Sequence, residues 1–409
     1  MVINMGQLSI YLPPFASDYT GVCSTLFDFD CLTAINDPLC CTSHYVHYDE
    51  PRWSHKVRPV FSTSLRNIDA ILGNDDKVVR VVCDAVCSLN TQMVALVGTP
   101  VPAITGMDME GISCEIEERS ARDTFGFNTG GYNYYDKGII AAGKALITRY
   151  ADPACEVLEN SINILGLTPL DYGDAGNDTA LREWLENAGW RVNASLFMDT
   201  SLEEVRRVER AQLNLAVSSA GVALAKFLKA RFGTPWLAGY PMGARYARLL
   251  SDLMSANRTD TGPQSAENTQ DGSHSAEYTE AGPHSEEYYG KMLIVSDQVM
   301  GNSLREALRL AGSRRRLDVA SFFSPAPELA GPNDVFLHSE RHLIELLRGE
   351  NYQSIAADPY FAYIPEVAGM KHYKIVHPAV SSRPEWKNVP QYLSPQFEEF
   401  VNGIVREDV

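Results

Sequence analysis

The sequence has no cysteine beyond position 155, no long apolar run and no surplus of positive charge. Each absence excludes something. Stretches such as Ile162 to Leu167 stop far short of the roughly 20 apolar residues that span a bilayer, so no membrane segment is expected. The N-terminus lacks a basic region followed by an apolar core, so no secretion signal and a cytoplasmic location are expected. Lys and Arg number 35 against 52 Asp and Glu, a net charge of −17, and such a surface repels a phosphate backbone. Nucleic acid is therefore not an expected partner. The basic cluster Arg314-Arg315-Arg316 reads as a solvated helix end. A P-loop, a G-x-G-x-x-G turn and a G-x-S-x-G elbow are all missing, which removes the commonest phosphate cradles and the serine-hydrolase geometry. What is present is globular composition: 45% hydrophobic and 21% charged over 409 residues. That length allows about two to four domains.

The eight cysteines are Cys23, Cys31, Cys40, Cys41, Cys83, Cys87, Cys114 and Cys155, all in the first part of the chain. A disulfide framework is not expected in a large chain without a secretion signal. Two readings stay open: small buried hydrophobes, or thiols with metal, cluster or redox chemistry. Cys83 and Cys87 share a helical face with Val79, Val82 and Val86, which favours a core role for that pair.

From residue 156 onward the pattern is an α/β rhythm. Ile162 to Leu167 reads as a buried strand, and Leu181, Trp184, Leu185 and Ala188 fall on one helical face ended by Gly189. Trp190 to Ala194 is a strand, and Ser201 with Glu204 forms a capping box. Leu213 to Val217 is a strand, followed by a helix carrying Leu224, Phe227 and Leu228. The rhythm restarts with strand Met292 to Val295 and the stripe Met300, Leu304, Ala307, Leu308, Ala311, ended by Gly312. Asp318 to Phe323, Ile355 to Ala357 and Tyr373 to Val376 are further strands. The first unit has strand Met93 to Val97, flanked by helical stretches Asp75 to Leu89 and Glu110 to Arg119. Strands alternating with helices imply parallel sheets covered on both faces. The expected division is 1–155, 156–253 and 290–409. Between the last two lies a repeat-bearing insert, 254–289, with the ten-residue units Thr259 to Asn268, Thr269 to Tyr278 and Thr279 to Tyr288. Its Gly, Ser, Thr, Glu and Pro content predicts a disordered surface loop that leaves a helix near Met254.

The densest polar stretch runs from Asn36 to His55. Cys40, Cys41, His44 and His47 have local metal-ligand spacing, because thiolate and imidazole suit zinc and iron. Asp49-Glu50-Pro51-Arg52-Trp53 reads as a surface turn with a local ion pair.

Several strings together resemble the nitrogenase component 1 family, which includes the molybdenum–iron protein subunits, the cofactor-assembly scaffold and the catalytic subunits of dark-operative protochlorophyllide reductase. In the first unit they are Ser17-Asp18-Tyr19-Thr20-Gly21, Asp37-Pro38-Leu39-Cys40-Cys41 before Tyr45, and Thr99-Pro100 continuing to Gly106-Met107-Asp108. Asn163-Ile164-Leu165-Gly166 and Leu213-Asn214-Leu215 resemble strings of the second unit. Asn302-Ser303-Leu304 and His377-Pro378-Ala379-Val380-Ser381 resemble strings of the third. The resemblance implies an α/β fold of three Rossmann-like, doubly wound parallel-sheet domains. It also implies an iron–sulfur cluster, of [4Fe–4S] type, at a subunit interface, and a nitrogenase iron-protein-like ATPase reductase as electron donor.

The departures are as informative. The family gives three cysteines per subunit to its interfacial cluster; here those positions hold Ser17, Cys41 and Pro100. The resemblance leaves Cys41 as the expected metal ligand. Cys40 and Cys23 are the nearest spare thiols, and Asp18 is a candidate carboxylate ligand. The cysteine that carries the family's active-site cofactor corresponds to Ser218, and Arg383-Pro384-Glu385-Trp386 lacks the cofactor's histidine, so no molybdenum–iron cofactor is expected. Three functions follow. The first is a nitrogenase-like oxidoreductase subunit that reduces a small substrate other than dinitrogen, paired as a homodimer or with a related component 1 subunit. The second is a binding or cofactor-assembly scaffold without a cluster. The third is a metal-binding protein using Cys41, His44 and His47.

Overall fold

The computed structural model describes residues 9–153, 156–259 and 289–407. The described strands form three sheets, and every pairing is parallel. The first holds β1 (Cys31–Ile35), β2 (Val60–Ser62), β3 (Met93–Val97) and β4 (Asp123–Phe127), in the order β2-β1-β3-β4. The second holds β5 (Leu158–Leu165), β6 (Arg191–Leu196), β7 (Ala211–Ala216) and β8 (Trp236–Ala238), in the order β6-β5-β7-β8. The third holds β9 (Lys291–Val295), β10 (Arg316–Ser321), β11 (Val335–Phe336), β12 (Ser354–Ala357) and β13 (Lys371–Lys374), in the order β11-β10-β9-β12-β13.

Burial explains the strand sequences. β1 and β3 are buried at every position, as befits strands covered on both faces, and their residues are correspondingly apolar. The asparagines of the second sheet are an exception with a purpose. Asn193 Nδ2 donates to Asn163 Oδ1 at 2.8 Å, and Asn163 Nδ2 donates to Asn214 Oδ1 at 2.8 Å and to Val208 O at 2.6 Å. This buried ladder across β6, β5 and β7 satisfies groups that would otherwise be costly to desolvate. It gives the Asn163 and Asn214 strings their structural reason.

Helix Asp18–Leu26 crosses helix Tyr135–Tyr150 at backbone contact. A Cβ on Gly21 would lie 1.9 Å from Tyr135 O, and one on Gly138 would lie 1.8 Å from Asp18 O. Only glycine permits that approach, and it fixes the segment that carries Ser17 and Tyr19.

Several expectations need correction. Helix Ala244–Thr259 runs past Met254, which is fully buried, and the repeats after residue 259 lie almost wholly outside the described residues. Of the thiol pair, Cys83 is half-buried and packs against the valine core as expected, whereas Cys87 is exposed, because the valines take the core-facing edge of helix Asp75–Leu89. The basic cluster is not simply solvated. Arg315 lies over the Tyr373 ring, and Arg316 opens β10 and pairs with Asp318 at 2.6 Å and Glu350 at 3.1 Å. Asp49, Glu50 and Arg52 do not form a surface turn; all three are buried.

Candidate functional site

In sheets of this kind the crevice beyond the carboxyl ends, where strand order reverses, is the usual ligand position. In the first sheet that point lies between β1 and β3. Asn36 N donates to Val97 O at 2.8 Å and Thr99 Oγ1 donates to Asn36 O at 2.7 Å, tying the two strand ends together. The chain then turns through Asp37 into helix Cys40–His44. Leu39, just before the thiols, is left-handed at φ 92 and its side chain is 57% exposed. A bulky residue held there stores about 1–3 kcal/mol. The turn delivers Cys40, exposed, and Cys41, half-buried, with their sulfurs 3.9 Å apart.

Asp37 is buried beneath them. Its Oδ1 accepts from Thr42 Oγ1 at 2.9 Å and Ser62 Oγ at 2.5 Å, and its Oδ2 accepts from Thr42 N at 2.9 Å. Burial, then the neighbouring Cys40 and Asp37, pushes the Cys41 thiol up to about 12. The Tyr19 phenol lies beside both Ser17 and Cys41. The Ser17 to Gly21, Cys40-Cys41 and Gly98 to Gly106 segments therefore meet at one end of the first sheet.

A buried ionic network props this loop from behind. Arg52 donates through Nε to Glu50 Oε1 at 2.8 Å, through Nη1 to Asp28 Oδ2 at 2.8 Å, and through Nη2 to Ser24 O at 2.7 Å. Ser24 Oγ donates to Glu50 Oε2 at 2.8 Å, and Thr20 Oγ1 to Asp49 Oδ2 at 2.7 Å. The charges are paired and hydrogen-bonded, the condition for burying them.

The other expected ligands are placed elsewhere. The Asp18 carboxylate accepts from Gly131 N at 2.8 Å, Asn133 Nδ2 at 3.3 Å and Gly130 N at 3.4 Å, so it anchors the 130–133 loop. Cys23 is buried in the core, where desolvation raises its thiol well above the ordinary range. His47 Nδ1 lies 2.8 Å from Ser43 O, and His44 Nε2 pairs with Asp49 at 3.3 Å. The hydrogen bond to Asp49 raises the His44 pKa. Pro100 opens helix Pro100–Thr105 and offers no donor atom. Among the described residues, the one group of three possible metal ligands is Asp37, Cys40 and Cys41, whose ligand atoms all lie within 4.8 Å of one another. Sequence reasoning missed Asp37, although its place one turn before the cysteines was the available signal.

Nothing in the spacing of residues pointed to the junction of the three domains. Tyr135, from the first, donates to Asp171 Oδ1 of the second at 2.5 Å. Its oxygen lies 2.9 Å from His377 Nε2 of the third. A phenol has one proton, so the ring nitrogen donates in return. Ser219 N donates to Asp297 Oδ2 at 2.9 Å, His377 N to Asp358 Oδ2 at 2.8 Å, and Ser324 N to Asp136 Oδ2 at 2.8 Å. Burial, then the nearby Asp171, moves the Asp297 carboxyl up to about 6. Ser218 Oγ donates to Gly166 O at 2.8 Å and accepts from Gly221 N at 3.2 Å, capping helix Ser219–Phe232. The cavity beside His377, lined by Met300, Val376 and Tyr392, is about 10 Å³, too small for any cofactor. A larger one of about 120 Å³ lies between the N-terminal segment and the third domain, lined by Phe15, Tyr134, Phe322 and Glu340. Its carboxylate is already taken by Ile10 N and Tyr11 N, each at 2.7 Å.

Residues 29–381 match the model of the nitrogenase component 1 type oxidoreductases. The chain belongs to that family. It is 27% identical, over 44% of its own length and 39% of the other's, to the nitrogenase iron-molybdenum cofactor biosynthesis protein NifE of Clostridium pasteurianum. It is 25% identical, over 54% of its length and 50% of the other's, to the nitrogenase molybdenum-iron protein alpha chain of Methanothermobacter marburgensis. A third relative is a light-independent protochlorophyllide reductase subunit of Prosthecochloris aestuarii, 31% identical over 24% of this chain and 19% of that one. The matches thus span half or less of these component 1 relatives. The fold matches a solved structure of nitrogenase Cp1 at pH 5 over all of this chain and 91% of that one, with a TM-score of 0.66 and 15% identity. As for a membrane, no described helix is long and apolar enough to cross one.

A family-type iron–sulfur cluster can be tested against these residues. A four-iron cluster takes about four ligands, each on its own iron. One chain brings two thiols to the crevice, and their sulfurs are 3.9 Å apart. Two sulfurs bound to one ion at 2.3 Å with tetrahedral angles stand about 3.8 Å apart. The thiol pair therefore has the spacing for one ion, and the residues of a single chain do not fit a four-iron cluster.

Proposed function

We propose that the chain is a binding or cofactor-assembly protein of the component 1 type, acting as a pair with itself or with a related component 1 chain. The observation that carries this reading is the sealed three-domain junction. Tyr135, Asp171, His377 and Asp297 fill the position between strand ends where a substrate or cofactor would otherwise sit. The open crevice is the one at Cys40 and Cys41, and the same end of the first sheet exposes Leu39, Tyr48 and Ile104. Exposed apolar side chains beside such a crevice suit a contact surface. One of the similar proteins is by name a cofactor biosynthesis protein, which agrees with a holding role.

A second reading keeps the reductase. The position of Cys40 and Cys41 in the switch-point crevice favours it, since two paired chains would bring four thiols together. Such a pair would hold an iron–sulfur centre, take electrons from an iron-protein-like ATPase and reduce a small molecule. Anaerobic purification, with visible absorption and iron and sulfide assays, separates the two. A colourless, sulfide-free pair supports the holding role. Brown protein with stoichiometric iron and sulfide overturns it in favour of the reductase, and a monomer by light scattering overturns the pairing.

A further inference from the structure

We infer that Asp37, Cys40 and Cys41 form a three-donor site for a single thiophilic divalent cation of the zinc class. The two sulfurs stand 3.9 Å apart, the spacing of two ligands on one ion. A carboxylate oxygen of Asp37 lies within 4.8 Å of both, near enough to close on an ion that the sulfurs hold. Two thiolates suit zinc or a similar soft ion and disfavour magnesium or calcium, which prefer oxygen throughout.

The carboxylate is held as a metal ligand is held. Both lone pairs of Asp37 Oδ1 are occupied by Thr42 Oγ1 and Ser62 Oγ, whereas Oδ2 accepts one bond, from Thr42 N. One lone pair of Oδ2 therefore remains for an ion, on a carboxylate whose orientation is fixed by three donors. The left-handed Leu39 sets the start of helix Cys40–His44, so that consecutive residues present their sulfurs together. Cys40 is exposed, which leaves an entry path and a fourth position for water or a group from another molecule. His44 and His47 stand outside the set, because the ligand atoms that lie together are those of Asp37, Cys40 and Cys41. On binding, each thiol loses its proton to solvent as its sulfur bonds the cation. The site needs one chain only and does not depend on pairing. It competes with any cluster, because the same two sulfurs would serve both.

The full chain, stripped with a chelator and kept reduced under anaerobic conditions, is titrated with Co²⁺. One Co²⁺ per chain should bind with a sulfur-to-cobalt charge-transfer band in the near ultraviolet, and one equivalent of Zn²⁺ should erase it. Cys40→Ser and Cys41→Ser should each abolish most of the band. Asp37→Asn keeps the shape of the side chain and removes its charge; it should weaken cobalt binding by about tenfold or more. Cys114→Ser, at an exposed thiol on another helix, should leave the titration unchanged. The inference is overturned if wild type shows no charge-transfer band. It is equally overturned if the band survives in the Cys40→Ser/Cys41→Ser double variant, its fold checked by circular dichroism. A monomer that binds one cobalt would sink the pairing and leave this site standing. A pair that binds none would do the reverse.

Discussion

The carboxyl end of the first sheet and the meeting point of the second and third sheets share a topological position, the place where strand order reverses. At the first, a strained turn at Leu39 leaves Cys40 exposed and Cys41 half-buried, and the charges that hold the loop lie behind it. At the second, side chains of all three domains close on one another through hydrogen bonds. Equivalent crevices in one chain have thus been finished in opposite ways. The parallel-sheet fold supplies a place, and side-chain chemistry decides whether it is a site or a seal.

Both crevices carry measurable energies. The largest effect is expected at Arg52, which supports the open crevice. Arg52→Ala leaves Glu50 as a buried charge without its cation and Asp28 with Lys56 alone, and should cost about 3–5 kcal/mol, read from urea unfolding. A loss below 1 kcal/mol, roughly, would mean that the network is effectively solvated and the loop not propped by it.

Next comes the seal. Tyr135→Phe removes the proton that Asp171 accepts and the oxygen that faces His377. Leaving buried polar groups without partners should cost about 1–3 kcal/mol. An unchanged urea midpoint would show that the junction does not depend on that hydroxyl.

A change of pH probes the same seal, with an effect of similar or smaller size. The Asp297 carboxyl is moved up to about 6 by burial. A carboxyl whose folded pKa is raised contributes most below its unfolded value near 4, and that contribution is lost as pH rises through 6. Wild type should therefore lose up to about 3 kcal/mol between those pH values relative to Asp297→Asn, compared by urea unfolding at pH 4 and pH 7. Parallel profiles for the two proteins would remove Asp297 from the seal.

The smallest effect on stability is expected at the thiols. Cys40→Ser changes an exposed side chain and should move the unfolding free energy by no more than about 0.5 kcal/mol. A large loss would make Cys40 a packing residue and the crevice another part of the core.

Much of the fold was legible in the sequence. Helix Asp75–Leu89 and strand Met93–Val97 have the limits that their periodicity implies, and Ser201 with Glu204 does form a capping box. Gly312 ends helix Gln298–Ala311 in the left-handed region. Such features depend on neighbours three or four residues apart, which a sequence displays directly. β1 was harder to see, since a five-residue run opening on cysteine carries little periodic signal.

The order of amino acids was enough to settle the parallel α/β class, the family strings and the concentration of thiols in the first domain. Which of those thiols share a site was left to the packing of the folded chain. Cys23 and Cys41 are alike as letters, but one is sealed in the core and the other half-open beside Cys40. Asp18 and Asp37 are both buried acids, but one anchors a loop while the other lies beneath the sulfurs. The Arg52 network and the Tyr135–Asp171–His377 junction join residues up to 242 positions apart. Whether such groups meet depends on how helices pack and domains close, through desolvation and hydrogen-bond geometry acting at distances in space that spacing along the chain does not encode.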